Sequence, residues 1–454
     1  MSETSHHLKR SLGVTDMTLF TVSAILLLDT LSASASIGVS SITWWVILSL
    51  LFFVPYGLIS AELGTTYPEQ GGIYAWVRDA FGARWGTRVT WLYWLNNVLW
   101  HASLYVLFAG IFAQMFFPDL SAGAKLIMAL ALTWLVIGLT TLSLSIGKWI
   151  PNVGAIVKLI AFAALIAGGI TFAMSGDGTL ANDFSIAAFT PEWGSSTQYI
   201  STIIYGVLGF ELMSSASEEM KNPQRDVPRS ILLSGAIIFV AYILGTFAIL
   251  AAIPIDQIDL VEGLVDTFQQ LFGTSSVGKA AALLLGTMVL VTIISNALTW
   301  SIGANRAAAE AAIDGELPRF LAKENKAGAP VGAAISMGIL ITLVLLSYGL
   351  MSASNEDLFW SLFAASAVLF LLPYIGAVGA FFYARIHDAN KPRPFRVAGG
   401  TPFALVITVV CIGILALSTW LFMYVPGEGF DMPVVIGSAV AILLGEIVIR
   451  YAEK

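Results

Sequence analysis

Three ionisable residues, Asp29, Lys158 and Glu211, stand inside long apolar runs. A charge in a bilayer core is costly, so each needs a partner within the protein or a task there. Asp29 opens the stretch Asp29-Thr-Leu-Ser-Ala-Ser-Ala, in which Ser32, Ser34 and Ser36 can bond to backbone carbonyls and ease unwinding of a helix. Unwound backbone offers N–H and C=O groups to a solute, while the Asp29 carboxylate would attract an ammonium and repel a carboxylate. The alternative for Asp29 is a pair within the protein, with His101 or Lys158. Glu211 follows Tyr205, Gly206, Gly209 and Phe210, and glycines let a chain leave helical geometry. Glu211 is then a gate beside a second break, or a carboxylate that hydrogen-bonds backbone N–H groups there. Lys158 falls two turns after Pro151, about 10 Å into a helix that starts at the proline. It either snorkels to the membrane surface or, with burial favouring its neutral form, takes up and releases a proton.

Weaker signals surround these three. Asn97, His101 and Tyr105 recur at intervals of four and share one helix face, which either lines a solute path or satisfies a core histidine. Ser295, Asn296, Thr299 and Trp300 precede Arg306, and Trp300 is suited to stack on a cation or an alkyl chain. With 13 tryptophans in the chain, many must serve as interfacial anchors.

These residues need membrane helices to hold them. The 454 residues are 57% hydrophobic and 11% charged, with mean hydropathy +0.83, against about 25% charged in a soluble domain. Apolar runs long enough to cross a bilayer recur from end to end. They predict an all-α, multi-spanning protein of twelve transmembrane helices starting near Thr15, Ile42, Trp85, Lys125, Pro151, Gln198, Arg229, Val277, Pro330, Leu358, Pro402 and Met432. Residues 1–14 are polar without a signal-peptide core, so the first span is the expected insertion signal. Of 22 lysines and arginines, all but Lys125, Lys158 and Lys279 fall on one side of this arrangement, while the loops on the other side collect Asp177, Asp183, Glu192, Asp256, Asp259, Glu262, Asp266, Glu356 and Asp357. The positive-inside rule then places both termini in the cytoplasm, in an inner (plasma) membrane of bacterial type. The net charge of −7 is spread without a basic patch, so no nucleic acid is expected as partner. Cys411 is the single cysteine, which excludes a disulfide within the chain.

The first and sixth spans resemble each other: Asp29-Thr-Leu-Ser-Ala-Ser-Ala superimposes on Glu211-Leu-Met-Ser-Ser-Ala-Ser. Five spans separate their starts, so the second copy enters from the opposite side, which predicts a 5+5 inverted repeat with two extra helices. The alternative is a chance match of small residues placed for helix contacts. The expected divisions are a cytoplasmic segment 1–14, a first repeat 15–176, a second repeat 177–386, and the last two spans with a short cytoplasmic end over 387–454.

Three longer motifs carry a family resemblance. "AELGTTYPEQGGIYAWVRDAFG" from Ala61, "GFELMSSASEEMKNPQRDVPRSI" from Gly209 and "GANRAAAEAAIDGELPRFLAKENKAGAP" from Gly303 are similar, in order, to segments of the amino acid–polyamine–organocation (APC) superfamily, nearest its glutamate/GABA antiporter branch. The resemblance implies a LeuT-like fold and secondary active transport, with the solute bound between broken spans one and six. It implies that Tyr205 gates, Trp300 packs on substrate, Glu211 gates and Lys158 couples protons. Asp29, Ser32, Ser34, Asn97, His101, Gly209, Phe210 and Asn296 complete the expected binding set with Tyr205 and Trp300. One departure is that "LDTLSASASIG" lacks the usual first glycines and adds Asp29, which favours a cationic amine or polyamine over an amino-acid carboxylate. The expectation is a proton-coupled transporter or antiporter of an amine or amino acid, with no cofactor and only lipid and the solute as required partners; homo-oligomer formation is left open. A glutamate/GABA-type antiporter is the second reading, and a substrate-binding membrane sensor a remote third. No HExxH pair, GxSxG elbow or Walker loop accompanies the buried groups, so an enzyme or ATP-driven pump is not expected.

Overall fold

A computed structural model describes residues 13–28, 30–67, 72–142, 146–175, 180–210, 222–273 and 275–452. Asp29 and Glu211 lie outside the described residues. The protein is a multi-spanning, all-α membrane protein, and among the described residues 10 helices are long and apolar enough to cross a bilayer. The first span is split into Val14–Ile25 and Leu31–Ala35. Span 2 is Ser40–Thr66, span 3 Ala83–Phe116, span 4 Ala122–Leu142 and span 5 Ile146–Met174. The sixth opens with the short helix Ile200–Tyr205. Spans 7 to 12 are Pro223–Ala252, Ser276–Ile313, Val331–Gly349, Asn355–His387, Gly400–Met423 and Met432–Ala452. A two-stranded turn pairing Tyr424–Val425 with Gly429–Phe430 joins the last two.

The expected starts fall near observed ones, and two differ for a readable reason. Span 7 begins at Pro223, ahead of Arg229, because proline fits the first helical turn and the helix extends through charged residues before its apolar run. Span 5 begins at Ile146, ahead of Pro151. That extension puts Lys158 about 18 Å along its helix rather than about 10 Å, and its ammonium is turned inward, 1% exposed and bonded to Ser23 O of the first span, rather than extended to the surface. In span 2, Pro55 cannot donate to a preceding carbonyl, and the helix passes through a π turn, Ser49–Phe53, just before it.

Short amphipathic helices precede two of the longest spans, Ile73–Phe81 before span 3 and Gly263–Phe272 before span 8. Each ends in Phe-Gly, and Gly82 and Gly273 have φ of 96° and 75°, a conformation that glycine adopts without strain. Span 10 packs on spans 3 and 11, span 8 on spans 3 and 5, and span 7 on spans 1 and 5.

One polar knot is buried at the end of span 2. Glu62 accepts from Arg385 Nη2 at 2.5 Å, from Arg393 Nε at 3.0 Å and from the backbone N–H of Val397 at 2.7 Å. All three charged side chains are nearly inaccessible, at 2%, 1% and 4% exposure. The knot ties spans 2 and 10 to the connection leading into span 11. Beside it, Tyr67 donates to Asp388 at 2.5 Å, and burial with this bond raises its phenol well above the ordinary value.

Candidate functional site

The site is built around the gap in span 1. A helix that stops in mid-bilayer leaves its last carbonyls without partners, and lipid cannot supply them. Here the protein does. Tyr242 of span 7 donates its hydroxyl to Ile25 O at 2.9 Å and accepts from Leu27 N at 2.9 Å, bridging the gap. Lys158 of span 5, 1% exposed, donates from Nζ to Ser23 O at 2.6 Å. A cation at a helix C-terminus is also favourably placed in the field of its aligned peptide dipoles. Tyr242 is held by stacking on Trp45, with centroids 4.6 Å apart, and by the edge of Phe162.

Span 6 supplies the facing half. Its helix stops at Tyr205, and Gly209 adopts φ of 124°. A Cβ on Gly206 would lie 3.4 Å from the Tyr242 hydroxyl and 3.5 Å from Thr30 Oγ1, so the two interruptions meet face to face at this glycine. Thr30 Oγ1 is buried without a hydrogen-bond partner.

Beside this junction is a small cavity of about 20 Å³, bounded by Ile25 and Leu27, by Asn96, Asn97 and Trp100 of span 3, by Tyr205 and Leu208, by Trp300 of span 8 and by Phe370 of span 10. That is room for about one water molecule, so a solute of several heavy atoms enters only if the walls part. The walls are aromatic: Tyr205 meets Phe370 at 5.2 Å, and Trp300 meets Trp100 at 5.8 Å and Phe370 at 6.4 Å. The polar lining is accepting. Asn97 Nδ2 donates to Tyr93 O at 2.9 Å, which fixes the amide's orientation and leaves Asn97 Oδ1 buried without a donor. Asn96 Oδ1 is likewise buried and unpaired.

Of the residues singled out in the sequence, Asn97, Tyr205 and Trp300 line this cavity together. His101 is fully buried outside the lining, with Nδ1 2.5 Å from Asn97 O and Nε2 2.7 Å from Ala297 O and 2.9 Å from Ser301 Oγ, a tie between spans 3 and 8. Ser34 bonds to Leu31 O and to Thr246 of span 7, and Ser32 packs close to Gly263 of the short helix Gly263–Phe272. Gly209 shapes the turn, Phe210 packs 5.0 Å from Phe53 of span 2, and Asn296 lies one turn from Trp300, outside the lining. Asn96, Trp100, Phe370 and Tyr242 are site residues that the sequence reading missed. Asn96 adjoins Asn97 in sequence, a doublet of amides in an apolar run, and Trp100 directly precedes His101; Phe370 and Tyr242 stand between apolar residues with nothing to mark them. Among the described residues, no three His, Cys, Asp or Glu side chains gather as metal ligands would.

Tyr242→Phe keeps the ring stacked on Trp45 but leaves Ile25 O and Leu27 N without partners. The expected result is a loss of about 1–3 kcal/mol in stability, read as a lower melting temperature in detergent. A melting temperature equal to wild type would show that the hydroxyl does not hold the gap.

The amino acid permease family profile matches residues 12–445. The "Probable agmatine/putrescine antiporter" of Lactococcus lactis subsp. lactis (strain IL1403) is 36% identical over 425 residues, covering 92% of this chain and 90% of that protein. A "Polyamine transporter" of Oryza sativa subsp. japonica is 26% identical, covering 86% and 70%. A "Glutamate/gamma-aminobutyrate antiporter", also of Lactococcus lactis, is 24% identical, covering 77% and 71%.

Proposed function

The chain belongs to the amino acid permease family, and from that premise we propose that it exchanges a cationic amine of the agmatine or putrescine class across a bacterial inner membrane. It is a transporter and not an enzyme. The observation that carries the substrate class is the pair of unpaired amide oxygens, Asn96 Oδ1 and Asn97 Oδ1, on a cavity walled by Trp100, Tyr205, Trp300 and Phe370. Buried acceptors without donors are costly, and ammonium or guanidinium N–H groups would satisfy them. Aromatic faces add attraction for a cation, about 0.5 to 2 kcal/mol depending on desolvation. A carboxylate there would meet two like-signed oxygens. Asp29 lies outside the described residues; in the sequence it stands between the buried Leu28 and Thr30, and its carboxylate favours a cation over an anion.

In this reading, Tyr205 with Glu211 gates the site and Lys158 couples protons. Two features support the inverted repeat of 15–176 and 177–386: the paired interruptions after Ile25 and Tyr205, and the paired amphipathic helices ending at Phe81 and Phe272. The distribution of lysine and arginine supports N- and C-termini in the cytoplasm. On the opposite face, Glu262 and Asp266 are held above the usual carboxylate range by burial first and then by the charge of Asp259. That acidic cluster would concentrate cations at the outer mouth.

Proteoliposomes loaded with labelled putrescine test the substrate class. Agmatine against arginine, putrescine against ornithine, and GABA against glutamate are added outside as competitors. The amine of at least one pair should compete about tenfold better than its parent amino acid, and Asp29→Asn should weaken amine binding by about 1.4 kcal/mol or more. If glutamate or a neutral amino acid outcompetes every amine, the acidic or zwitterionic reading replaces this one.

A further inference from the structure

His101 is a buried titratable group outside both the cavity lining and the Lys158 tie, and its surroundings constrain where its protons sit. Nδ1 lies 2.5 Å from Asn97 O, and Nε2 lies 2.7 Å from Ala297 O. A carbonyl oxygen only accepts, so both nitrogens donate, and that takes the two ring protons of an imidazolium. A neutral ring carries one N–H and would turn a lone pair on one of the carbonyls. Ser301 Oγ, 2.9 Å from Nε2 and 3.7 Å from Met337 Sδ of span 9, supplies the alternative. Its hydroxyl donates to the sulfur when Nε2 is protonated and to Nε2 when it is not. Burial opposes the charged form while two carbonyl acceptors favour it, so the ring is set between two competing effects and has partners for both states. Among the described residues no charged side chain bears on it, and its titratable neighbour is Tyr105, with ring centroids 6.0 Å apart.

We propose that His101 holds a proton in the solute-free protein and gives it up when a cationic amine enters the cavity, which rests on the cationic-amine reading of the transported solute. The two sites adjoin. Trp100 and Trp300 line the cavity, and His101 and Ser301 directly follow them in the chain. Asn97, whose carbonyl takes the Nδ1 proton, lines it as well. Two like charges on neighbouring positions in a poorly polarisable interior repel. As the amine enters in its ammonium form, the Nε2 proton leaves to water on the side to which the site is open. Nδ1–H stays on Asn97 O, and the Ser301 hydroxyl turns from Met337 to Nε2. One positive charge enters and one leaves, so the buried region keeps its net charge, and the proton returns when the amine departs. In amine-for-amine exchange the carrier is loaded in both directions and His101 moves no net proton, which leaves Lys158 as the group tied to the movement of span 1.

The test is calorimetric titration of putrescine into the purified full-length protein at about pH 6, where an alkyl diamine stays charged, in two buffers of different ionisation enthalpy. The difference between the buffers counts protons released per amine bound. Wild type should release close to one, and its affinity should rise with pH by up to about tenfold per unit until the solute-free ring is neutral. His101→Gln should bind putrescine without proton release, with an affinity flat over about pH 5–8. Ser301→Ala removes the donor to the neutral ring and leaves both carbonyl acceptors of the imidazolium. It should hold the proton more firmly and bind putrescine at least about threefold more weakly at the same pH. Melting temperatures near wild type verify that the variants fold; should His101→Gln not fold, wild-type release and the Ser301→Ala affinity decide. The proposal is overturned if wild type binds putrescine without releasing a proton, or if Ser301→Ala binds it as wild type does. Release that persists in His101→Gln overturns it too, because the proton then belongs to another group. If neither putrescine nor agmatine binds at all, the cationic-amine reading itself falls, and this proposal with it.

Discussion

Glu62→Ala is expected to cost about 3–5 kcal/mol, enough to remove most of the folded protein from a detergent extract. The size follows from what is left behind. Arg385 and Arg393 would remain buried as two positive charges without a counterion, and Val397 N–H would lose its acceptor. Arg385 has little in reserve: its Nε and Nη1 already lack acceptors, and besides Glu62 it keeps the neutral Val397 carbonyl, which accepts from Nη2 at 2.9 Å, and the Phe381 ring at 5.4 Å. Removing one arginine should cost less, since Glu62 keeps the other and the backbone N–H. A thermal-melt double-mutant cycle over Glu62→Ala and Arg385→Met checks both points, and the two changes should couple by more than about 1 kcal/mol. If Glu62→Ala melts within a degree or two of wild type, water reaches the knot and the charges are not buried in the working protein.

The broad architecture was legible because a bilayer imposes one rule on every residue: spans must be long, apolar and helical, and charges must collect at their ends. The interrupted helices were legible for a related reason. Gly206 and Gly209 in mid-span are chemically out of place in an ordinary membrane helix, and the turn at Gly209 lies there; in span 1 the gap falls after Ile25 and ahead of Ser32 and Ser34, which lie inside the helix Leu31–Ala35, so the serine run marks the neighbourhood of the break but is not itself unwound. What caps those gaps was not legible. Tyr242 stands in span 7 with an apolar sequence around it, and only the packing of span 7 against span 1 brings its hydroxyl to Ile25 and Leu27. Trp100 and Phe370 are hidden in the same way, since an aromatic in a membrane helix reads alike whether it faces lipid, core or solute. His101 shows the converse. The sequence left it open between lining a solute path and being a satisfied core histidine, and the structure places it outside the cavity lining, with its ring nitrogens against two backbone carbonyls and Ser301. Glu62 lies within a motif used to recognise the family, but its partners are far along the chain, and sequence alone gives no means of pairing it with Arg385 and Arg393.

Lys158→Ala is expected to abolish uptake driven by an inward proton gradient, a fall of at least tenfold, while solute affinity changes by less than about threefold. The lysine is outside the cavity lining, so it acts on the balance between conformations and not on the ligand. Its ammonium is tied to Ser23 O at 2.6 Å, in the last turn before the gap in span 1. Loss of a proton would weaken that charge-assisted bond and its interaction with the helix end together, which frees the first half of span 1 to move relative to span 5. Arginine separates the two roles of the side chain. Lys158→Arg retains a cation that could bond to Ser23 O, but a guanidinium does not release its proton. In proteoliposomes the arginine variant should therefore keep some solute-for-solute exchange and lose proton-driven accumulation. The alanine variant lacks the tie altogether, and its exchange should also slow. Proton-driven uptake at wild-type rates in either variant would remove Lys158 from the coupling step and leave it as a cap on a broken helix. If wild type itself shows no response to a proton gradient, the protein is a pure exchanger, and Lys158→Arg should then exchange as well as wild type.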